Sequence, residues 1–450
     1  MEPYDLIVIG AGSAARDAAN KASREYGARV ALVECRRWGG SCPNVACKPT
    51  KAYLVAAELH RDLRTLGVKL GLPAAPERVD LARIHAWKET LRKPQEKWVV
   101  ELSERGYDTR EGVATFVDPR TLRVDGHELV GERILIATGS RTAVPPIAGL
   151  DELDWLDHVT ALDLDQLPAT LLVLGGGPVG LEFAQLFSRF GSRVTLVQGA
   201  PRVSPRSDAD ATAQLEAAFE EEGIDVLTGT TVERFEQGTA VLSDGRTIDA
   251  ERVLLASGRV PNVEELGLEA IGVRTHRAGI EVNERLRTSV DGIWAAGDVT
   301  GLVQFTPIAQ YQARIAVEDM FALNGTVADY TVLPTAIFTD PELGAVGLTE
   351  HEARERGLDV ATATHPLANV TRSQYVAERH GLYKLVYAPD TRRVLGIHVV
   401  SRGASDIVQG LSVALRLGLT VDELARSHHV YPSWGEGVKA AAERTSALPA

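Results

Sequence analysis

Two stretches of the chain repeat the same order of apolar and polar positions. The apolar run Asp5–Gly10 ends in the small-residue turn GAGSAA, a helix-compatible stretch follows over Ala14–Tyr26, and the strand RVALVE then ends at Glu34. The segment LLVLGGGPVGLEFAQLFSRFGSRVTLVQ, which ends at Gln198, has the same order. A strand, a glycine turn, a helix and a second strand form the dinucleotide-binding unit. The chain is therefore predicted to contain two such units.

The small residues of the first turn have separate predicted roles. Gly10 permits the tight turn, Gly12 lets the backbone approach a pyrophosphate at the helix N-terminus, and Ala15 allows close packing of helix on strand. Glu34 would accept a hydrogen bond from a ribose hydroxyl. The second unit has its turn glycines at Gly175, Gly177 and Gly180. One unit would hold a flavin dinucleotide and the other a nicotinamide dinucleotide.

The pattern changes from about Thr331. The segments TVLPTAIFTDPELGAVGLT and GLYKLVYAPDTRRVLGIHVV predict antiparallel strands, with turns at Asp340-Pro341 and Pro389-Asp390. The segment ASDIVQGLSVALRLGL has the apolar period of a helix. The predicted fold class is α/β, with two Rossmann-like dinucleotide-binding domains and a C-terminal α+β domain.

Composition and charge narrow the choice of partners. The apolar fraction of 44% and the charged fraction of 24% are typical of a globular protein. The net charge of −13 at pH 7 argues against a nucleic-acid or membrane partner. The first residues, MEPYD, have no basic segment of the signal-peptide type, and three cysteines are too few for a secreted disulfide scaffold. We therefore expect a cytoplasmic location.

The segment WGGSCPNVACKPTK contains the closest cysteine pair, Cys42 and Cys47. Pro43 suits the first position of a helix, which predicts Cys42 near the N-cap. On an ideal helix, residues five apart have Cα atoms about 8.7 Å apart, whereas a disulfide needs about 4.4 to 6.8 Å. A bonded pair therefore requires distorted first turns, and Pro49 would favour that distortion.

A redox pair is favoured over a zinc site at these cysteines. Zinc would need two more ligands, and the third cysteine, Cys35, lies at the end of a predicted strand, where we interpret it as a small buried residue. No metal site is predicted.

Five motifs occur in the order seen in class I pyridine nucleotide-disulfide oxidoreductases, and the chain resembles that family over essentially its whole length. The motifs are GAGSAA, GGSCPNVACKPTK, ATGS, GGGPVGLEFA and GIWAAGDVTG. The family includes dihydrolipoamide dehydrogenase, glutathione reductase and mercuric reductase. The resemblance implies FAD, either NADPH or NADH, a small-molecule substrate, and a homodimer whose active site is shared across the interface. It also implies a domain order: FAD-binding domain over 1–148 and 265–330, NAD(P)-binding domain over 149–264, and dimerisation domain over 331–450.

The resemblance also implies roles for single residues. Cys47 matches the thiol next to the flavin, and Cys42 matches the outer thiol that attacks substrate. Lys51 matches the lysine beside flavin N5, and Glu182 matches its ion-pair partner; together they would stabilise negative charge on the reduced flavin. Asp298 would bind the ribityl chain. The further implied flavin contacts are Gly40, Ser41, Thr138, Gly139 and Gly297.

Nicotinamide choice depends on the end of the second unit. NAD-using relatives usually carry an acid where this chain has Gln198, and NADP-using relatives usually carry arginine where it has Gly199. Arg202 and Arg206 follow within reach of a 2′-phosphate, which favours NADPH over NADH. Gly258 is the remaining predicted contact of this nucleotide.

The stretch HHVYPSWGE near the C-terminus departs from the disulfide-reducing members. Those members place a histidine directly before the proline and a glutamate four residues after it; here the positions hold Tyr431 and Glu436. A phenol of pKa about 10 is a poor proton relay at neutral pH, whereas imidazole near 6.5 is a good one. Dihydrolipoamide or glutathione chemistry is therefore disfavoured. Mercuric reductases also have this tyrosine, but they use a C-terminal cysteine pair that KAAAERTSALPA lacks.

His429 is an alternative acid or base at this end. Residues before a proline favour extended backbone, and alternate residues of an extended chain share a face, so His429 could point with Tyr431. The alternative is that His428 and His429 are surface or interface residues.

The predicted function is electron transfer from NAD(P)H through FAD and the cysteine pair to a disulfide, a metal or another small acceptor. Three alternatives stay open at this point. They are a flavin-dependent quinone or oxygen reductase or transhydrogenase with auxiliary cysteines, a mercuric reductase lacking the C-terminal cysteine pair, and a non-catalytic flavin-binding protein.

Overall fold

The computed structural model describes residues 2–445 and divides them into two compact units. The first unit comprises the chain up to Thr50, Ala86–Ala143 and Gly258–Asp329. The second comprises Lys51–His85, Val144–Ser257 and the chain from Tyr330. Within residues 2–445, no helix combines the length and the apolar character needed to cross a membrane.

The first unit is built on a parallel five-stranded sheet. Four of its five strands are buried on both faces, as a parallel sheet covered by helices requires, and the edge strand Asp108–Glu111 is half-buried to exposed. The glycine turn after the first strand leads into the helix Ser13–Tyr26, which packs against the helix Thr306–Phe321. The strands lie in the order Ile293–Ala295, Ile134–Ile136, Leu6–Ile9, Val30–Glu34 and Asp108–Glu111.

The second unit contains a parallel four-stranded sheet with the repeated pattern. Its glycine turn leads into the helix Pro178–Phe190, most of whose residues are buried. The strands lie in the order Asp225–Thr228, Arg193–Gln198, Thr170–Leu174 and Arg252–Leu255. The two predicted dinucleotide-binding patterns therefore form two parallel sheets, each with a helix directly after its glycine turn.

The second unit also contains an antiparallel five-stranded sheet near the C-terminus. The predicted pairs of strands and the predicted helix are all present, the helix over Ala404–Arg416. The strands lie in the order Thr335–Ile337, Glu342–Gly347, Val394–Ser401, Leu382–Tyr387 and Ala361–Pro366.

Shorter elements complete both units. The other strands of the first unit are Ala114–Asp118, Thr121–Val124, His127–Val130, Ser140–Thr142, Arg259–Pro261, Thr275–His276 and Gly279–Ile280, and its other helices include Gln95–Glu104, Glu269–Ile271 and Asp298–Thr300. The other strands of the second unit are Val232–Glu236, Thr239–Leu242 and Thr247–Asp249. Its other helices are Leu63–Gly67, Leu150–Glu152, Thr160–Asp163, Ala209–Glu221, Glu350–Glu355, Leu367–Asn369, Thr371–Val376, Val421–Arg426 and Glu436–Glu443, and Leu81–Thr90 crosses the boundary between the units.

The cysteine segment forms two helices instead of one. A short helix covers Ser41–Asn44, Val45 leaves helical geometry at φ −141°, and a second helix runs over Cys47–Asp62. The predicted distortion between the two cysteines is thus confirmed. Cys42 was predicted near the N-cap and lies two residues after it: the N-cap is Gly40, whose φ is +73°.

Candidate active site

At the first glycine turn, backbone segments lie closer together than a side chain at Gly10 or Gly40 would allow. A Cβ atom at Gly10 would lie 2.4 Å from the carbonyl oxygen of Ala137, and one at Gly40 would lie 2.4 Å from the Cα of Gly12. Gly12 is the N-cap of Ser13–Tyr26, and no side chain of residues 2–445 caps that helix. Its first N–H groups are therefore available to a phosphate, and the small-residue cradle fits the pyrophosphate of FAD.

Glu34 is fixed at the end of its strand, where the ribose contact is predicted. Its Oε2 accepts a hydrogen bond from the Ala11 backbone N–H at 2.9 Å. Its Oε1 accepts from the backbone N–H groups of Arg36 at 2.8 Å and Arg37 at 3.1 Å. The carboxylate is held next to the glycine turn and still has lone pairs for a hydroxyl donor. Ala15 is fully buried between helix and strand, as its packing role requires.

The second predicted flavin motif is organised by two residues that the sequence reasoning missed. Asp298 accepts a hydrogen bond from Ser140 Oγ at 2.6 Å, and Arg259 donates to the same Ser140 Oγ at 2.7 Å and to the Ser140 carbonyl at 2.8 Å. Gly297 donates its N–H to Gln312 Oε1 at 2.7 Å. The available signal was that Ser140 and Arg259 follow the repeated small-residue turns ATG and ASG.

Thr138 and Gly139 form the turn that precedes this cluster. Thr138 Oγ1 donates to the carbonyl of Asn262 at 2.7 Å, and the Gly139 carbonyl accepts from the Asn262 N–H at 3.0 Å. Gly258 lies in the same unit with φ +124°, just before the strand Arg259–Pro261.

The three cysteines differ in exposure: Cys42 is half-buried, whereas Cys47 and Cys35 are exposed. Cys47 begins its helix, and its Sγ lies 3.6 Å from Thr306 Oγ1, within hydrogen-bonding distance for sulfur. Cys35 is exposed, so the expectation that it is buried is wrong. Loss of solvation together with the neighbouring Glu34 carboxylate raises the pKa of the Cys35 thiol, which makes it a weak nucleophile at neutral pH.

Lys51 and Glu182 form the ion pair predicted from the resemblance. Lys51 Nζ lies 2.7 Å from Glu182 Oε2. Phe338, which the sequence reasoning missed, contacts both partners: its backbone N–H donates to Glu182 Oε1 at 3.1 Å, and its ring centroid lies 4.2 Å from Lys51 Nζ. A cation held over an aromatic face and against a carboxylate has a restricted position. Phe338 therefore orients the ammonium group.

The segment that carries Phe338 is itself fixed to the helix Pro178–Phe190. The Asp340 N–H donates to Gln185 Oε1 and the Gln185 amide donates to the Asp340 carbonyl, each at 2.7 Å. Arg189 of the same helix pairs with the Asp340 carboxylate at 2.9 Å. Glu182, Gln185 and Arg189 thus present one face of the helix to residues 338–340. These contacts hold the helix that carries Glu182 against the segment that carries Phe338.

The second glycine turn repeats the geometry of the first. A Cβ atom at Gly175, whose φ is +113°, would lie 2.4 Å from the Ala256 carbonyl oxygen, and one at Gly180 would lie 1.8 Å from the Gly175 carbonyl oxygen. Gly177 is the N-cap of the helix, and a Cβ there would meet no described atom within 4 Å. Gln198 Oε1 accepts a hydrogen bond from the Gly176 N–H at 3.1 Å.

Arg202 forms hydrogen bonds within the loop that follows Gln198. Arg202 donates to the carbonyl of Ser207 at 2.7 Å and to that of Pro205 at 2.8 Å. Two of its five N–H groups are thereby used within the loop, and its contact with a 2′-phosphate stays a prediction. Arg206 is exposed in the same loop.

Among residues 2–445, the side chains of the terminal motif form no acid–base pair with one another. The Tyr431 hydroxyl is exposed and donates to Thr371 Oγ1 at 3.3 Å, while Glu436 Oε1 accepts from the Thr371 N–H at 3.0 Å. His429 Nε2 lies 2.9 Å from Ser427 Oγ, and burial lowers the pKa of His429. These contacts give His429 and Tyr431 different partners. They leave the imidazole neutral at pH 7.

Comparisons with known proteins identify the family. Residues 4–313 match the family model described as pyridine nucleotide-disulphide oxidoreductase, and residues 333–442 match the dimerisation domain of that family. A mercuric reductase of Streptomyces lividans is 40% identical over 98% of this chain and 96% of the relative. A dihydrolipoyl dehydrogenase of Thermus scotoductus is 36% identical over 98% of this chain and 97% of the relative.

Among solved structures, the chain is similar to the Cu(II) complex of the HOCl-induced flavoprotein disulfide reductase RclA from Escherichia coli. The TM-score is 0.88 and the identity 30%, over 99% of this chain and 100% of that chain. These matches confirm the predicted fold class, the cofactors FAD and NAD(P)H, and the enzyme class. The chain belongs to the pyridine nucleotide-disulphide oxidoreductase family and is an NAD(P)H-dependent flavoprotein disulfide oxidoreductase.

Proposed function

We propose that this enzyme passes electrons from NAD(P)H through FAD to the Cys42–Cys47 pair, and then to a small acceptor whose reduction needs no acid–base histidine. The observation that carries the proposal is the terminal motif, in which Tyr431 replaces the histidine and both Tyr431 and Glu436 bind Thr371. Reduction of a metal ion consumes electrons and no protons, whereas each thiolate released from a disulfide takes up a proton. A thiol-binding metal ion is therefore the first candidate acceptor.

A small disulfide is the second candidate acceptor. It is supported by the similarity to RclA, which is described as a disulfide reductase and whose solved complex contains Cu(II). The metal candidate is supported by the relative named mercuric reductase and by the same Cu(II) complex. In both cases Cys47 would be the thiol next to the flavin and Cys42 the thiol that meets the acceptor. Lys51 and Glu182 would stabilise negative charge on the reduced flavin, with Phe338 holding the lysine.

The two glycine turns support a division of the cofactor contacts. When bound, FAD supplies the two-electron carrier between nicotinamide and dithiol. Its proposed contacts are Gly10, Gly12, Ala15, Glu34, Gly40, Ser41, Thr138, Gly139, Gly297 and Asp298, and Ser140 and Arg259 orient the last of these. The proposed contacts of the nicotinamide nucleotide are Gly175, Gly177, Gly180, Gln198 and Gly258, with Arg206 facing a 2′-phosphate.

A homodimer with a shared active site is part of the proposal. The match to the dimerisation domain supports it, and so does an exposed apolar row at Val55, Leu59 and Leu63, four residues apart along one helical face. We retain the domain limits 1–148, 149–264, 265–330 and 331–450, and propose a cytoplasmic location because the dithiol must be reduced in each turnover.

Substitutions at the second glycine turn will separate ligand contact from folding. We expect Gly177→Ala to retain the melting temperature, because its Cβ meets no described atom within 4 Å, yet to weaken NADPH binding at least about tenfold by occupying pyrophosphate space. Gly180→Ala should lower the melting temperature, because its Cβ would lie 1.8 Å from the Gly175 carbonyl oxygen. Nucleotide titration and thermal unfolding check both. Unchanged affinity in Gly177→Ala would remove this turn from the site.

Replacement of Phe338 tests whether its aromatic ring orients the Lys51 ammonium group. We expect Phe338→Leu to slow flavin reduction by NADPH about fivefold, because loss of the aromatic face removes roughly 1 kcal/mol that orients the ammonium group. Stopped-flow bleaching of the flavin absorbance measures the rate. Phe338→Tyr keeps the ring and the backbone donor and should keep the wild-type rate. Equal slowing by both variants would assign the effect to packing.

Substitutions of Arg206 and Arg202 should affect kcat/KM for NADPH and NADH differently. We expect Arg206→Met to lower kcat/KM for NADPH at least about fivefold relative to NADH, because it removes a cation facing the 2′-phosphate. Arg202→Met should lower both values together, since Arg202 holds the loop. Gln198→Glu should shift preference toward NADH by charge repulsion. A constant NADPH-to-NADH ratio in Arg206→Met would contradict this assignment.

The acceptor can be identified by reoxidation of the reduced enzyme. The anaerobically reduced protein is mixed with mercuric ion, cupric ion, small disulfides and quinones, and the return of flavin absorbance is followed. We expect Cys42→Ala to keep flavin bleaching by NADPH but to lose metal and disulfide reduction at least about a hundredfold. Cys35→Ala is the matched control and should behave as wild type. Fast quinone reduction by wild type and Cys42→Ala alike would instead establish the quinone reductase alternative.

A further inference from the structure

Arg16 is a charged residue of the first unit to which the sequence pattern assigned no role. It lies in the helix Ser13–Tyr26, where its backbone N–H donates to the Gly12 carbonyl at 3.0 Å. Its guanidinium carbon lies 4.7 Å from the ring centroid of Trp98. Its Nε is buried and has no hydrogen-bond partner among residues 2–445. A buried donor without an acceptor is costly, so its position calls for a physical reason.

The ionisable groups that act on Arg16 include Cys42, the predicted outer thiol. Burial lowers the pKa of Arg16, and Cys42 is the strongest of the groups that oppose this effect, ahead of Glu101 and Asp17. Arg105 faces it with the same sign of charge. Both carboxylates already have other cationic partners: Glu101 pairs with Lys93 and Arg105, and Asp17 pairs with Arg314. Both carboxylates thus form their salt bridges with cations other than Arg16.

The helix Gln95–Glu104 fixes Arg16 and the Cys42 segment relative to one another. Trp98, under the guanidinium group, packs on Gly39 so closely that a Cβ there would lie 2.7 Å from the indole ring. Gln95 of the same helix donates to Asn44 Oδ1 at 3.2 Å, and the Asn44 amide donates to the Gly40 carbonyl at 2.7 Å. The segment is thus tied to the Trp98 helix on both sides of Cys42.

We propose that Arg16 is a positioning residue that stabilises the thiolate form of Cys42. The inference rests on the proposed function, in which Cys42 is the thiol that meets the acceptor. A nearby fixed cation favours a thiolate over a thiol. Arginine stays charged throughout the working pH range and transfers no proton. Arg16 would thus supply the charge that a protonated histidine supplies in other members, but not the proton relay.

The exchange step balances without a proton from Arg16. The Cys42 thiolate attacks one sulfur of a disulfide RSSR, forms the mixed disulfide Cys42–S–S–R and releases RS⁻, which takes a proton from solvent. The Cys47 thiolate then attacks the Cys42 sulfur, restores the Cys42–Cys47 bond and releases the second RS⁻. The first step gains from a higher thiolate fraction at Cys42, because the thiolate and not the thiol attacks the disulfide.

Alkylation of the reduced holoenzyme tests the inference. The FAD-loaded protein, reduced anaerobically with one equivalent of NADPH, is treated with iodoacetamide from about pH 5 to about pH 9.5, and modification of Cys42 is followed by peptide mass spectrometry. We expect Arg16→Met and Arg16→Gln to move the inflection of the rate upward by about one pH unit, so that alkylation at neutral pH falls roughly tenfold. At the alkaline limit the rates should converge, because the thiol is then ionised in every variant. Arg16→Lys should keep the wild-type profile.

Lys93→Met is the matched control for packing on Trp98. Lys93 lies 4.0 Å from the same indole centroid and pairs with Glu101, so we expect its loss to leave the profile unchanged. The inference is overturned if the neutral Arg16 variants keep the wild-type inflection with normal flavin content, or if their rates fall equally at every pH. Wild-type enzyme in which Cys42 resists alkylation at all pH values would overturn the proposed function itself. That result is distinct from an Arg16 effect that is absent in a reactive enzyme.

Discussion

The cofactor sites depend on one steric constraint, the approach of a carbonyl oxygen to a glycine Cα at the end of the first strand of each unit. The Ala137 oxygen occupies the side-chain space of Gly10, and the Ala256 oxygen occupies that of Gly175, each 2.4 Å from where a Cβ would lie. This contact directs the chain into a helix whose first N–H groups have no side-chain cap among residues 2–445. Because the arrangement recurs in both units, each presents the same kind of phosphate-binding helix end.

The two glycine turns have the same geometry, but the side chain that accepts a hydrogen bond from each turn differs in charge. Glu34 accepts the N–H of Ala11 at 2.9 Å, and Gln198 accepts the N–H of Gly176 at 3.1 Å, so one side-chain oxygen closes each turn in the same way. The carboxylate repels a phosphate beside the ribose, whereas the neutral amide does not. Gln198 therefore adds no charge at the second turn, and Arg202 in the loop that follows donates to backbone carbonyls.

Features that depend on neighbours along the chain could be predicted from the sequence. The glycine turns, the antiparallel strands and the break between Cys42 and Cys47 follow from local residue order and helix geometry. Contacts between distant segments could not be predicted, because no periodicity encodes them: Phe338 beside Lys51 is an example. The burial of Cys35 was predicted wrongly for the same reason, since exposure depends on what the fold packs against a strand end.

Thiol–disulfide exchange needs an anion stabilised at the attacking sulfur and a proton for the leaving group, and an imidazole can supply both. In this chain the two needs are separated. Tyr431 and Glu436 bind Thr371, and burial lowers the pKa of His429, which lies against Ser427, so the imidazole carries no charge at pH 7. A fixed cation such as Arg16 can meet the first need alone. Such a site favours acceptors whose reduction releases no strongly basic group, a condition that a metal ion without thiolate ligands meets better than an alkyl disulfide does.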